Sequence, residues 1–249
     1  MRIIGVLDLL GGHAVHARRG VRAQYAPVTR VAGEPLQAGD GRALARAYVE
    51  RLGIEELYIA DLDAIAGREW HAELIEDIGA LGVPVWLDAG LQTVADARRA
   101  QDLGAAHLVV ALETLPSLDA LATISTAVGG SRVVFSLDLR DGIPVAGPDG
   151  PLAADTPEAI AVRAVGAGAG AIVLIDLARV GSGQGVDLVL VSRVRTTTAG
   201  ARLVAGGGVR DWNDVVSLAD AGCDAALVAT SLHDGRFGAA QVTGARSLP

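Results

Sequence analysis

Two segments of the sequence carry the same pattern of residues, although 130 positions separate them. Residues 4–15 (IGVLDLLGGHAV) and 135–145 (FSLDLRDGIPV) each hold an apolar run, an Asp-Leu pair and a later glycine, so that Asp8 corresponds to Asp138. Two such carboxyl groups suit coupled proton transfer, in which one accepts a proton from carbon or nitrogen while the other, kept protonated, donates to oxygen. We predict that Asp8 and Asp138 form a catalytic acid–base pair; the alternative is that each only caps the turn that follows.

A glycine-rich segment marks a candidate phosphate site. Residues 204–212 (VAGGGVRDW) place three glycines directly after an apolar run and before a helical pattern. The free amides of such a turn and the dipole of the following helix suit a phosphate group. The later motif VATSLHDG adds hydroxyl and amide donors beside it. The residues predicted to bind phosphate are Gly207, Gly208, Thr230 and Ser231. The alternative is a glycine turn that packing alone requires.

Short β-branched runs alternate with amphipathic stretches along the whole chain, as in βα units around a parallel sheet. The predicted strands are 2–8, 56–61, 83–88, 106–111, 132–138, 170–176, 201–206 and 224–229. Several of the stretches between them begin with Thr or Asp and end with Gly, as helices do. We predict an α/β protein with one domain over residues 1–249, a single (β/α)8 TIM barrel. A doubly wound open sheet is the alternative, but its Gly-x-Gly-x-x-Gly fingerprint is missing.

The second half of the chain repeats the first. Residues 86–115 align without a gap on residues 204–233, at an offset of 118. We therefore predict two duplicated half-barrels, about 1–128 and 129–249, each with four strands. A displacement of four strands places the two aspartates across the barrel mouth from each other, at the C-terminal strand ends where such barrels build their sites.

In the first half, the counterpart of the glycine-rich segment is acidic and has fewer glycines. Asp88-Ala89-Gly90 stands where the second half has Gly206-Gly207-Gly208, and Glu113 stands opposite Ser231. Ionised carboxylates repel phosphate, so the sequence predicts one intact phosphate site and a ligand whose far end is neutral or cationic. The residues predicted to line the substrate cavity are Asp61, Asp88, Glu113, Asp176 and Arg19. Arg19 belongs to a basic segment after the first strand, for which a plain exposed loop is the alternative.

The composition excludes several classes of function. A net charge of −8 argues against a nucleic-acid or anionic-membrane surface. All 21 basic residues are Arg, which excludes Schiff-base chemistry on lysine and the P-loop lysine. The five His lack metal-ligand spacing and the single Cys excludes a cysteine-based zinc cluster. We expect a cytoplasmic protein with a small phosphorylated substrate, no nucleic-acid or membrane partner and no bound metal; the oligomeric state is left open.

These motifs together resemble the HisA/HisF half-barrel superfamily over essentially the whole chain. The blocks DLLGG, ADLDAIAG, SLDLRDG, AGGGVRD and SLHDGRF match blocks of that family in order. The resemblance is closest to the HisA-like isomerases. It implies that Asp8 is the general base and Asp138 the general acid of an Amadori rearrangement of an aminoaldose to a ketose. It also implies phosphate on the four residues named above, and no metal or organic cofactor.

Three blocks depart from the ProFAR isomerases of histidine biosynthesis, which act on a substrate with two phosphates. DAGLQ stands where GGGIR is usual after strand three, and LET ends strand four. Ile175 and residues 180–182 (VGS) stand where Thr and Asp-Gly-Thr are usual. The departures favour an isomerase or related acid–base enzyme with one phosphate site. Similar motifs occur in a HisA-related branch that accompanies tetrahydromethanopterin synthesis, where we place this chain. A ProFAR isomerase and a catalytically inactive phosphate-binding barrel are the alternatives.

Overall fold

Eight parallel strands close into a barrel in the computed structural model, which describes residues 1–147, 152, 155–198 and 200–249. They are β1 (Arg2–Leu10), β2 (Glu56–Asp61), β3 (Val85–Asp88), β4 (His107–Ala111), β5 (Val133–Arg140), β6 (Ala171–Asp176), β7 (Arg202–Gly206) and β8 (Ala225–Val228). Neighbours along the chain pair with each other, and β8 also pairs with β1. The predicted TIM barrel is confirmed, and the open sheet is excluded because the ring is closed.

A helix follows each strand and packs on the outside of the barrel. The helices are α1 (Gly41–Arg46), α2 (Ala72–Gly79), α3 (Val94–Asp102), α4 (Leu118–Val128), α5 (Pro157–Gly166), α6 (Leu188–Thr197), α7 (Trp212–Asp220) and α8 (Ala239–Ala245). A π-helical turn, Ala47–Arg51, continues α1. Side-chain oxygens cap several of these helices, from Asp40, Thr93, Ser117, Thr156, Asp187 and Asp211. The predicted boundary between half-barrels falls between α4 and β5.

Alternation along the strands decides which side chains reach the barrel interior. One set of alternate residues fills the interior with Ile4, Tyr58, Trp86, Val109, Val134, Val173, Val204 and Leu227. The other set packs against the helices in a second, larger cluster. Asp8 and Asp138 continue the inward-facing sets of β1 and β5 at the C-terminal strand ends. Period-two geometry therefore brings both carboxyl groups to the mouth of the barrel.

The opposite end of the interior is plugged. The Trp86 indole Nε1 donates to Glu56 Oε2 at 2.8 Å, and Arg2 donates to Glu56 Oε1 at 2.5 Å. The Arg202 guanidinium lies over the indole, 5.5 Å from its centre. Ligand access is therefore from the C-terminal end. No helix among the described residues is long and apolar enough to span a membrane.

Candidate active site

The C-terminal strand ends enclose a cavity of about 760 Å³. Residues from both halves of the chain line it. Of the residues singled out in the sequence, those in its lining are Asp8, Asp88, Glu113, Asp138, Gly207, Gly208 and Thr230. The candidate acid–base pair and the candidate phosphate loop therefore share one cavity.

Asp8 and Asp138 approach this cavity from strands four places apart in the ring, β1 and β5. Burial raises the pKa of Asp8 to about 7, and the nearby Asp88 adds to the shift. Burial raises the pKa of Asp138 to about 8, with Glu113 and Asp88 contributing. Ser136 Oγ donates to Asp138 Oδ1 at 3.0 Å. Both carboxyl groups thus have raised pKa values, which suits an acid–base pair that exchanges protons near neutral pH.

Asp88 lies near Asp8 and Asp138. It also contacts Tyr58, a cavity residue that was not predicted from the sequence. Tyr58 Oη donates to Asp88 Oδ2 at 3.2 Å, and the Gly90 amide donates to Oδ1 at 3.2 Å. Burial raises the pKa of Asp88 to about 7. Asp88 is therefore partly protonated at neutral pH, so its repulsion of a phosphate is weaker than the sequence argument assumes. Strand alternation is the signal for Tyr58, because it precedes Ala60 by two residues on the inward-facing set of β2.

Glu113 follows β4 and pairs across the mouth with Arg22. The guanidinium Nη2 is 3.7 Å from Glu113 Oε1, and both side chains are partly exposed. Arg22 belongs to the turn Arg22–Gln24 in the loop after β1, and Tyr25 beside it also lines the cavity. The first-half end of the cavity thus presents two carboxyl groups and one guanidinium.

The second-half end presents backbone amides, a hydroxyl group and further guanidinium groups. Gly207 (φ +84) and Gly208 (φ +111) both lie in the left-handed region. A Cβ atom at Gly207 would lie 2.8 Å from the Asp176 carbonyl oxygen, so no other residue fits without a shift. Arg210 and Arg236 also line the cavity, each paired with a carboxylate of its own. This end is suited to an anion.

Ser231 lies behind the glycine-rich loop that is the candidate phosphate site. Its side chain is fully buried, and Oγ donates to the Val209 carbonyl oxygen at 3.1 Å. The hydroxyl group therefore joins the loops after β7 and β8. Because the hydroxyl group is used in this bond, the predicted contact with phosphate would come from the Ser231 amide, which lies at the start of the helix Thr230–His233.

Asp61 and Asp176 do not line the cavity, because each follows the inward-facing residue of its strand by one position. Ala60 and Ile175 are the partners of Asp8 and Asp138 in the sheet register. The Asp61 carboxylate accepts from the His71 amide at 2.8 Å and contacts His71 Nδ1 at 2.9 Å. The Asp176 carboxylate accepts from amides that include Asp141 and Gly142, each at 3.1 Å. Both groups anchor loops.

Arg19 joins loops at the barrel mouth through its backbone hydrogen bonds. Its side chain is exposed and does not line the cavity. Its amide donates to the Val180 carbonyl oxygen at 2.8 Å, and its own carbonyl oxygen accepts from Arg140 Nη1 at 3.2 Å. The first bond ties the loop after β1 to the loop after β6, and the second ties it to the end of β5.

Asp61, Asp63 and His71 form a group whose spacing would suit a metal ion, with ligand atoms within 4.8 Å of one another. The Gly12 amide, however, donates to His71 Nε2 at 2.8 Å, and the Gly11 amide donates to Asp63 Oδ2 at 2.5 Å. The lone pairs that would bind a metal are engaged in holding the turn after β1. The group is explained by this structural role.

Comparison with known proteins agrees with the resemblance drawn from the motifs. Residues 2–238 match the family described as "Histidine biosynthesis protein". A Deinococcus radiodurans protein is 33% identical over 241 residues, 94% of each chain, and a Thermus thermophilus protein is 30% identical over 239 residues, 95% of this chain and 96% of the relative. Both are named as imidazole-4-carboxamide isomerases whose substrate name contains two phosphoribosyl groups, the ProFAR isomerases. An uncharacterised Methanocaldococcus jannaschii protein is 29% identical over 252 residues, 94% of each chain.

Proposed function

The chain belongs to the histidine biosynthesis protein family, and from that premise we propose that it is a metal-independent aldose–ketose isomerase of a phosphoribosyl aminoaldose. The observation that carries the proposal is the placement of Asp8 and Asp138 in one cavity with the glycine-rich loop. Their raised pKa values keep one carboxyl group able to accept a proton and the other able to donate one near neutral pH.

An Amadori rearrangement uses these two groups in turn. Asp138 donates its proton to the ribose ring oxygen as the C1–O bond breaks, and the amine lone pair forms a C1=N bond. Asp8 then removes the proton from C2, which gives an enol-amine. A proton then returns to C1, and the enol hydroxyl group loses its proton to Asp138. These two steps complete the aminoketose and restore the acid. The protons balance with no oxidant or reductant.

The names of the relatives favour ProFAR as the substrate. They support the histidine-biosynthesis alternative better than our prediction of a role in tetrahydromethanopterin synthesis. One phosphate of such a substrate would bind at Gly207, Gly208 and Thr230. The other would lie toward the first-half end, where Arg22 provides a positive charge beside Glu113.

A substrate with one phosphate is the second candidate. It is favoured by Asp88 and Glu113, which stand at the first-half end in place of glycine and serine. A neutral or cationic nitrogen group would donate hydrogen bonds to these carboxyl groups, whereas a phosphate dianion has nothing to donate.

A ProFAR isomerase assay on the purified protein tests the proposal. We expect turnover by the wild-type chain and a loss of about 10³-fold or more in kcat for Asp8→Asn and for Asp138→Asn, since general acid–base groups contribute about 10²–10⁴-fold. Circular dichroism and phosphate binding serve as controls for folding. No turnover from a folded, phosphate-binding protein would favour the second candidate, and activity retained by both variants would refute the acid–base assignment.

A further inference from the structure

His16 lies against the hydroxyl group of Thr230 at the phosphate end of the cavity. It ends the short strand His13–His16, which pairs antiparallel with the end of β1. Its Nε2 atom is 2.8 Å from Thr230 Oγ1. Thr230 lines the cavity and His16 does not. The imidazole therefore stands behind the hydroxyl group that a ligand would meet.

The direction of this hydrogen bond decides what Thr230 offers to a ligand. If the hydroxyl group donates to Nε2, its hydrogen is used and only lone pairs face the cavity. If Nε2–H donates to Oγ1, the hydroxyl hydrogen is free to point into the cavity. A dianionic oxyanion accepts hydrogen bonds and donates none. Its binding therefore requires a proton on His16 Nε2, which the neutral Nε2–H tautomer or the imidazolium ion supplies, and the negative charge of the dianion favours the imidazolium ion.

The charges around His16 favour a neutral ring in the free protein. Burial lowers the pKa of His16, the nearby Arg18 lowers it further, and Asp234 opposes both effects. A dianion bound against Thr230 would add a negative charge one hydrogen bond away. Opposite charges at this range favour the protonated form of an imidazole.

The imidazole ring of His233 packs against that of His16 and does not compete with it for a proton. The ring of His233 meets His16 edge-on at 5.5 Å and stacks on Tyr48 at 6.1 Å. It is 7% exposed, and neither ring nitrogen has a hydrogen-bond partner among the described residues. Burial, followed by the charge of His16, lowers the pKa of His233 to about 4. The protonated form of His233 is therefore disfavoured near neutral pH.

We propose that His16 is a positioning residue of the phosphate subsite, which turns the Thr230 hydroxyl group toward a bound tetrahedral dianion and takes up a proton from solvent when that dianion binds. The inference rests on the phosphate site of the proposed function. It does not depend on the isomerase chemistry, because it concerns the anion alone.

Sulfate is the probe of choice, since it stays a dianion from about pH 5.5 to pH 8. The Cε1–H resonance of His16, assigned by its absence from His16→Gln, is titrated with and without saturating sulfate. We expect sulfate to raise the pKa of His16 by about one unit, the shift that corresponds to a tenfold change in affinity between the two protonation states.

Sulfate affinity, measured by calorimetry at both ends of this range, separates the charge from the donor. The cavity carboxyl groups Asp8, Asp88 and Asp138 also ionise in this range and weaken anion binding, but they do so in every variant. His16→Gln keeps an N–H donor without the charge, and His16→Ala loses both. We expect the additional gain in wild-type affinity at pH 5.5 to vanish in both variants. His16→Ala should bind about tenfold more weakly than wild type at that pH.

The outcomes distinguish this inference from the proposed function. Sulfate that binds the wild-type protein without moving the His16 titration would overturn the positioning role. So would equal affinity of the wild-type protein and His16→Ala. If the wild-type protein binds no sulfate, the phosphate site itself is wrong and the inference falls with it.

Discussion

The loop after β7 and its first-half counterpart after β3 differ in backbone conformation. In the second half, Gly207 and Gly208 both have positive φ, so successive amides can face an anion. In the first half, Gly90 has a φ of +67, but Ala89 is not among the residues with positive φ. The two consecutive left-handed residues of the second-half loop are therefore not reproduced in the first half.

The residue that the neighbouring strand places beside this loop also differs between the two halves. A Cβ atom at Gly206 would lie 2.8 Å from the Cβ atom of Leu227. In the first half the register places Val109 beside Asp88. A shorter neighbour thus accompanies the carboxyl group that replaces glycine. The two loops therefore differ in charge, in backbone conformation and in the neighbouring side chain.

Gly207→Ala tests the difference between the two loops and has the largest expected effect. The added methyl group meets the Asp176 carbonyl oxygen and a φ that only glycine adopts easily. We expect KM for a phosphorylated substrate, or Kd for sulfate, to rise about tenfold or more, as for the loss of hydrogen bonds to a charged group. Gly90→Ala is the matched control, because its Cβ would lie 3.0 Å from the Ile65 Cα atom at a similar φ. Equal losses in the two variants would show that strain, and not anion contact, is responsible.

The double variant Asp88→Gly, Ala89→Gly gives the first-half loop the three glycines of the second half. It tests whether these residues account for the difference in anion binding. We expect affinity for a doubly phosphorylated ligand to improve about fivefold, as for the removal of one repulsion of about 1 kcal/mol. Asp88→Gly alone should improve it less, because the backbone at Ala89 is unchanged. Calorimetry with ProFAR as ligand, on an Asp8→Asn background that prevents turnover, measures both. A double variant no better than wild type would refute the conversion.

Glu113→Gln should have the smallest effect, on the pH profile. In the proposed mechanism Asp8 acts ionised and Asp138 protonated, so kcat/KM should rise through about pH 7 and fall through about pH 8. Glu113 raises the pKa of Asp138. Its neutralisation should lower that pKa and move the alkaline limb to lower pH by up to about one unit. The acid limb serves as the internal control, and an unchanged alkaline limb would refute the electrostatic coupling.

The sequence identified the residues that its repeats and glycines mark, and it misplaced those that depend on strand phase. Asp61 and Asp176 stand at strand ends like Asp8 and Asp138, but one residue further along in the register, and so they contact loops and do not line the cavity. Tyr58 is the converse case, since nothing in its type marks it as a cavity residue. A one-residue difference in phase reverses the side of the sheet, and strand-end residues do not show their phase until the register is known.

The sequence by itself determined the barrel, because alternating β-branched and amphipathic segments can bury their apolar faces in few other ways. It also determined the chemical types at the mouth, since Asp8, Asp138 and the glycine-rich loop are marked by repetition. Only the tertiary structure decided the protonation of the carboxyl groups, because burial and neighbours from distant strands set their pKa values. It alone brought His16 to Thr230, across 214 positions of the chain. Such contacts depend on how loops from opposite ends of the sequence meet at the closure of β1 on β8.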